Sequence, residues 1–226
     1  MAVAATSSRA QPGGVRFRDP EPLARFIAVL LVVQVALAAV NILSLLFRLK
    51  LLSDLQNRAY AGGLEASSVR IGILGLIWVV LLVVIAVFIL KWIYRSAKNV
   101  IALGFHTMKT SPRWAIGWFF VPVADLYMPY KTMKEIWRGS QSPGTKATGT
   151  SIIGWWWGLL LLFFVLDQLA LWLGRNPQTG TEILLATGLA IVQAALIIPL
   201  NLVFLRLMHD IVEMQKESFA WASKRK

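Results

Sequence analysis

The sequence predicts an all-α membrane protein: four transmembrane helices, with a broken-helix segment, re-entrant or interfacial on the cytoplasmic side, between helices two and three. Three observations carry that prediction. Of 226 residues, 57% are hydrophobic and only 15% charged, too little polar surface for a soluble domain of this size to cover its core. Four runs of roughly 20 residues are nearly free of charge, the length that crosses a hydrocarbon core about 30 Å thick at 1.5 Å per residue. Lysine and arginine, finally, are spread unevenly around those runs.

Taken in order, residues 1–22 are small and polar, contain Pro and Gly, and carry Arg9, Arg16 and Arg18. Such a stretch buries too little apolar area to offset its ordering entropy and is expected as a disordered cytoplasmic tail. The apolar run after it is too long for a cleavable signal peptide. Asp19 and Pro20 read as the pair that opens the first helix. A single membrane domain is expected over 23–216, then a basic tail over 217–226. Span one covers about 26–47, holds Gln34 and Asn41, and closes on Arg48 and Lys50. Span two, about 71–90, has no polar side chain, and its helix is expected to continue past Lys91, Arg95 and Lys98 to a C-cap at Gly104. Span three, about 152–173, opens with Trp155, Trp156 and Trp157 and contains Asp167 and Gln168. Span four, about 183–205, contains Gln193, Pro199 and Asn201. Residues 139–151 are a linker by composition.

The basic residues orient the chain. Eighteen of the 23 lysines and arginines lie in the N-terminal stretch through Arg25, the middle segment from Lys91 to Lys146, and the C-terminal stretch from Arg206. The remaining five are Arg48, Lys50, Arg58, Arg70 and Arg175. The positive-inside rule therefore places both termini and the middle segment in the cytoplasm.

The segment 111–138 is apolar and aromatic but short of a span. Only about eleven residues, 114–124, lack charge, roughly 16 Å of helix or half a bilayer. Pro122 ends or kinks any helix through it. Ser111–Pro112 is a helix start, and Asp125 is read as the structural cap of a second one. Two short helices joined at 121–125 follow. In the second, Leu126, Tyr130, Met133 and Trp137 recur at helical spacing while Lys131, Lys134 and Arg138 take another face, the pattern of a basic amphipathic helix in the headgroup plane.

These residues also carry a resemblance. Trp92, Tyr94, Arg95, Asn99 and Leu103, followed by the SP-x-WA-x-GWFF-x-P-x-A-[DN]-L-x-x-PY-x-x-M-x-EIW pattern of 111–137, resemble the bacterial domain of unknown function 4328 family of integral membrane proteins. Asp125 stands where such proteins commonly carry Asn. The resemblance implies a multi-pass protein of the bacterial inner membrane and adds no mechanism.

Candidate sites follow from chemistry. Asp167, Asn41 and Thr187 fall at similar depths in their spans and are expected to form a small intramembrane polar cluster, since a carboxylate in hydrocarbon costs about 2.5–3.5 kcal/mol and must face inward. Gln34, Gln193 and Asn201 are expected to make interhelical hydrogen bonds. Arg95, Lys98, Arg113, Trp114, Trp118, Tyr130, Lys131, Lys134, Trp137 and Arg138 form the candidate face for lipid or a partner. The partners expected are membrane lipids with anionic headgroups, and a protein partner or a second copy, with no nucleic acid. The absence of Cys excludes disulfides, thiolate metal sites and Cys nucleophiles. His106 and His209 have no ligand spacing for haem or zinc. No cofactor, metal or catalytic constellation is expected. The reading is a non-catalytic module binding lipid or protein through its cytoplasmic face. The alternative is a small permease or ion or proton pathway centred on Asp167, formed by an oligomer because four spans make a narrow bundle.

Overall fold

Helix α1 (Glu21–Gln56) begins where Asp19 and Pro20 predict it: Asp19 Oδ1 accepts the Glu21 N–H at 2.9 Å, and the Ala24 N–H reaches the Pro20 carbonyl at 3.1 Å. The structure, a computed structural model, describes residues 16–56, 62–104, 108–142, 149–175 and 179–224. Five further helices follow: α2 (Gly62–Leu103), α3 (Pro112–Gly117), α4 (Met128–Ser140), α5 (Ser151–Gly174) and α6 (Gly180–Lys224). Two 3-10 turns, Trp118–Phe120 and Ala124–Leu126, stand between α3 and α4, and no strand occurs among the described residues.

Four of these helices, α1, α2, α5 and α6, are long and apolar enough to cross a membrane. Three run well past the predicted spans. The 42 residues of α2 and the 45 of α6 give about 63 and 68 Å, roughly twice what a hydrocarbon core needs. Gly104 ends α2 as expected: it adopts φ +71° and returns its N–H to the Val100 carbonyl at 3.2 Å, the left-handed C-cap that glycine adopts without a Cβ penalty.

The chain divides into two compact units. One is built from Arg25–Ile89 and Ser151–Leu207. Here α1 supplies Ile27, Leu31, Gln34, Ala38 and Leu45 to the core, a helical stripe. From α6 come Ala194, Ile197, Leu200, Asn201 and Phe204, and from α5 Ile153, Trp156, Trp157 and Phe163. Trp156 packs on Phe204 with ring centroids 5.7 Å apart. Asn201 Nδ2 donates to Gln34 Oε1 at 3.0 Å and to the Leu31 carbonyl at 3.3 Å, an interhelical bond of the kind the sequence predicted.

The other unit gathers Met1–Ala24, Leu90–Thr150 and Met208–Lys226. The ends of α2 and α6 that exceed the spans meet α4 here. Their apolar faces supply Trp92, Ile93, Ala97 and Val100, then Met133, Ile136 and Trp137, then Met208, Ile211 and Val212. Three expectations change. Residues 16–20, read as part of a disordered tail, have no regular secondary structure but are tied into this unit through the Arg18 main chain. The predicted basic tail is helix through Lys224, with Ser218 buried, because the apolar face of α6 continues beyond the span. Gly139 and Ser140, assigned to a linker, belong to α4.

Close packing of α4 on α2 rests on Gly139. A Cβ there would collide with Val100 Cγ1 and sit 3.1 Å from Cγ2, and a β-branched valine has little rotamer freedom to yield. Gly→Ala in a helix ordinarily gains up to about 1 kcal/mol from propensity, while overpacking costs about 1–3 kcal/mol, so the steric effect decides the sign. Gly139→Ala is expected to lower the melting temperature in detergent, and Val100→Ala in the same chain to restore most of the loss. Absence of rescue would refute the contact as the cause.

Candidate functional site

Beneath the aromatic and basic face lies a buried polar network that the sequence reading missed. Asn99 and Gln215 are buried in the second unit and use nearly all their amide capacity. Asn99 Nδ2 donates to Gln215 Oε1 at 2.9 Å and to the Arg18 carbonyl at 2.8 Å, while Asn99 Oδ1 accepts the Arg18 N–H at 3.0 Å. Gln215 Nε2 donates to the Ser96 carbonyl at 3.1 Å and to Ser140 Oγ at 3.0 Å. Ser140 Oγ donates to the Ile136 carbonyl at 2.7 Å, and Ser218 Oγ to the Ser140 carbonyl at 2.8 Å. One connected network thus ties α2, α4, α6 and the segment before α1. Phe17 stacks on Phe219 with centroids 4.3 Å apart, and Lys216 Nζ pairs with Glu21 at 2.9 Å. The available signal was positional: Gln215 and Ser218 follow Met208, Ile211 and Val212 on the same helical face, where solvated residues would break the stripe.

The segment above this network starts as predicted. Ser111 caps α3, its Oγ accepting the Trp114 N–H at 3.4 Å, and Pro112 takes the first helical turn. Glu135 from α4 accepts the Thr110 N–H at 2.9 Å and anchors the approach to α3. Trp114 and Trp118 pack with centroids 4.6 Å apart. The helix then tightens, and Val121 turns extended ahead of Pro122. Val123 adopts φ +69°, an uncommon conformation for a β-branched residue. Asp125 is not a cap: the cap positions fall to Val123 and Tyr127, neither with a side-chain bond, and Asp125 contributes its N–H to the Val121 carbonyl at 2.9 Å. The turn over 121–127 is instead closed by backbone bonds, Asp125 N–H to Val121, Leu126 N–H to Val123 and Tyr127 N–H to Ala124.

The candidate residues separate by exposure. Lys98, Arg113, Trp114, Lys131 and Arg138 are exposed. Arg95, Trp118, Tyr130 and Lys134 are half-buried; Lys134 Nζ lies 4.3 Å from the Tyr130 ring centroid, Lys98 Nζ 4.7 Å from that of Tyr94, and Arg95 Nη1 3.5 Å from the Asp19 carbonyl. Trp137 is only 3% exposed and packs in the core with Met133 and Ile136, so it is no part of an outward face. Leu126 does not join Tyr130 and Met133 on a helical stripe, because α4 starts at Met128 and Leu126 sits in the 3-10 turn before it. What α4 buries is Pro129, Thr132, Met133, Ile136, Trp137, Gly139 and Ser140, a face turned to protein. Besides Trp114, the outward apolar groups are Phe120, Val123, Leu126 and Tyr127; helical spacing marks only Leu126 of these four, and on a stripe it does not join, because the break has no period.

Asp167 is half-buried and accepts Gln193 Nε2 at 2.7 Å, α5 to α6, with its neighbour Gln168 Nε2 at 3.4 Å. Thr187 Oγ1 turns back to the Ile183 carbonyl at 2.7 Å. Among the described residues no hydrogen bond joins Asn41, Asp167 and Thr187; the acid's partner is the glutamine one helix away. His209 is exposed, His106 lies outside the described residues, and no group of three metal-ligating side chains occurs among those described.

The family model described as Domain of unknown function (DUF4328) matches residues 55–213, most of the chain. The chain belongs to the DUF4328 family. No curated protein and no solved structure matches it. The DUF4328 match includes the buried face of α2, the whole of α3 and α4, and α6 to within two residues of Gln215.

Asn99→Ala leaves the Arg18 backbone and Gln215 Oε1 without their partner, a cost of about 1–3 kcal/mol. The expected result is a lower melting temperature together with faster tryptic cleavage after Arg18; a destabilised protein with unchanged cleavage there would contradict the clamp. Asp167→Asn preserves an acceptor for Gln193 and is expected to change stability by less than about 1 kcal/mol, whereas Asp167→Leu loses the bond; equal melting temperatures for the two variants would show that the bond contributes nothing.

Proposed function

We propose that this DUF4328 protein is a non-catalytic module of the bacterial inner membrane whose 112–138 segment engages a bilayer surface rich in anionic lipid from the cytoplasmic side. The observation that carries the reading is the exposure of the break: Val123 is 80% exposed and Phe120 74%, with Trp114, Leu126 and Tyr127 all above half. Apolar groups grouped this way beside cations suit a bilayer interface, where the rings sit at headgroup depth and the charges meet phosphate. Exposed Arg113, Lys131 and Arg138 supply the charge, and the lysine and arginine distribution supplies the side of the membrane.

The backbone supports the same reading. Val123 holds a positive φ, a conformation that costs of order 1–3 kcal/mol and concentrates at sites of function. A glycine would adopt it without strain but would present nothing to lipid. The reactive chemistry of the segment is poor: it offers Asp125 and Glu135 as its acids, and the Glu135 carboxylate is engaged with the Thr110 backbone. Binding is what its side chains are suited for.

Because the chain has no Cys, Val123→Cys can be labelled uniquely with a nitroxide in liposomes containing phosphatidylglycerol. Relaxation by dissolved oxygen is expected to exceed relaxation by a water-soluble nickel chelate; a water-like ratio would sink the reading. The Lys131/Lys134/Arg138 triple Ala variant is expected to lose anionic lipid retained through purification, at about 1 kcal/mol per charge. Val123→Gly should keep or raise the melting temperature while weakening lipid retention, and unchanged retention would remove Val123 from the surface.

A further inference from the structure

Two arginines in the first-described unit are left with unmet hydrogen-bonding capacity. Arg48 and Arg70 are half-buried, and Arg70 Nε and Nη2 and Arg48 Nε, each shielded from solvent, meet no hydrogen-bond acceptor among the described residues. A guanidinium cannot lose its proton and has only donors to offer. Taken out of water without an acceptor it is costly, so buried cations are found paired. The Phe47 ring lies 5.2 Å from Arg70 Cζ, but a ring face accepts no more than part of that fork. Among the described residues no acceptor meets these groups, and an anion from outside the chain would supply one.

Directly along the helices from these arginines runs an apolar groove. Phe26 meets Phe88 at one end of the α1/α2 pair, with centroids 4.6 Å apart, and Phe47 meets Arg70 at the other, so the helices lie antiparallel. Between those ends the two helices enclose a groove of about 450 Å³, lined by Val33 and Leu37 from α1 and by Leu76, Val80 and Val84 among others from α2. No polar side chain lines it. Leu76 and Val84 lie six and fourteen residues beyond Arg70, about 9 and 21 Å along the helix. One leaflet of hydrocarbon is about 15 Å deep, so the groove receives the lower part of a chain hanging from a headgroup at Arg70.

We infer that Arg70, Arg48 and the α1/α2 groove form a binding site for one anionic glycerophospholipid, with its phosphate on the guanidinium groups and an acyl chain along Val80. The two halves of the site select different parts of one molecule: planar donors in a fork match phosphate oxygens, and the β-branched wall offers contact only to hydrocarbon. A neighbouring transmembrane helix fills such a groove as well but satisfies Arg70 only where it also presents an acceptor at that depth. Free phosphate satisfies the arginines and leaves the groove unused. The site is separate from the 112–138 surface and does not depend on it.

The test uses the full chain carrying the Lys131/Lys134/Arg138 triple Ala change, so that lipid held by the other surface does not contribute. Native mass spectrometry of detergent-purified protein titrated with phosphatidylglycerol is expected to show one tightly retained lipid. Arg48→Gln with Arg70→Gln should cut that retention about tenfold or more. Val80→Trp, which fills the groove without touching charge, should cut it as well, with helical content unchanged by circular dichroism. Retention unchanged in both variants would overturn the site. Loss in the arginine variant alone, with inorganic phosphate displacing the lipid, would reduce it to a phosphate site and overturn the lipid assignment. A dimer that forms through the groove and is abolished by Val80→Trp would overturn it in favour of a second copy.

Discussion

The side-chain bond between Asn99 and Gln215 is the constraint on which the second unit depends. Each amide is used on both its oxygen and its nitrogen, and every partner lies on a different piece of chain: the segment before α1, the end of α2, the end of α4. In a low-dielectric interior such a network is rigid when complete and costly when broken, because an unpaired amide cannot find water. Apolar packing alone would let α4 slide or rotate on its neighbours. The amides permit one register, and the register sets which way the helix turns its charges.

That helix shows how the division is made. Thr132, Met133, Ile136 and Trp137 face the protein while Lys131 and Arg138 face away. The same exposure pattern, residue for residue, describes 91–100 of α2, where Lys91 and Lys98 are the outward cations. Two helix segments of unrelated sequence thus turn a cationic edge outward over one shared core. The aromatic break between α3 and α4 extends this arrangement with groups that are apolar and exposed, a combination stable in contact with hydrocarbon and unfavourable in water.

Much of this was legible in the sequence, for identifiable reasons. The four long apolar helices follow from hydropathy, the start of α1 from Asp19–Pro20, the start of α3 from Ser111–Pro112, and the end of α2 from Gly104. Each is a local rule acting on a few adjacent residues. The Gln34–Asn201 bond was foreseen because a buried amide in a span has few alternatives. The misreadings share a cause as well. The sequence pattern points Trp137 at lipid and Ser218 into a tail, because whether a face meets protein or bilayer depends on the helix opposite, which periodicity does not name. Asp125 fails as a cap because it sits inside the 3-10 turn, two residues past the cap position at Val123. Asp167 was paired by depth with Asn41 and Thr187, whereas rotation about the helix axis brings Gln193 to it instead.

The Asn99 clamp touches only the peptide group of residue 18, never the arginine side chain. Recognition of this sort is blind to identity at the held position and strict at the holding one. Any residue but proline, which lacks the N–H, can therefore stand at 18 without breaking the clamp, while position 99 loses bonds with any side chain that lacks a donor and an acceptor side by side. The two ends of one hydrogen-bonded contact carry opposite mutational freedom.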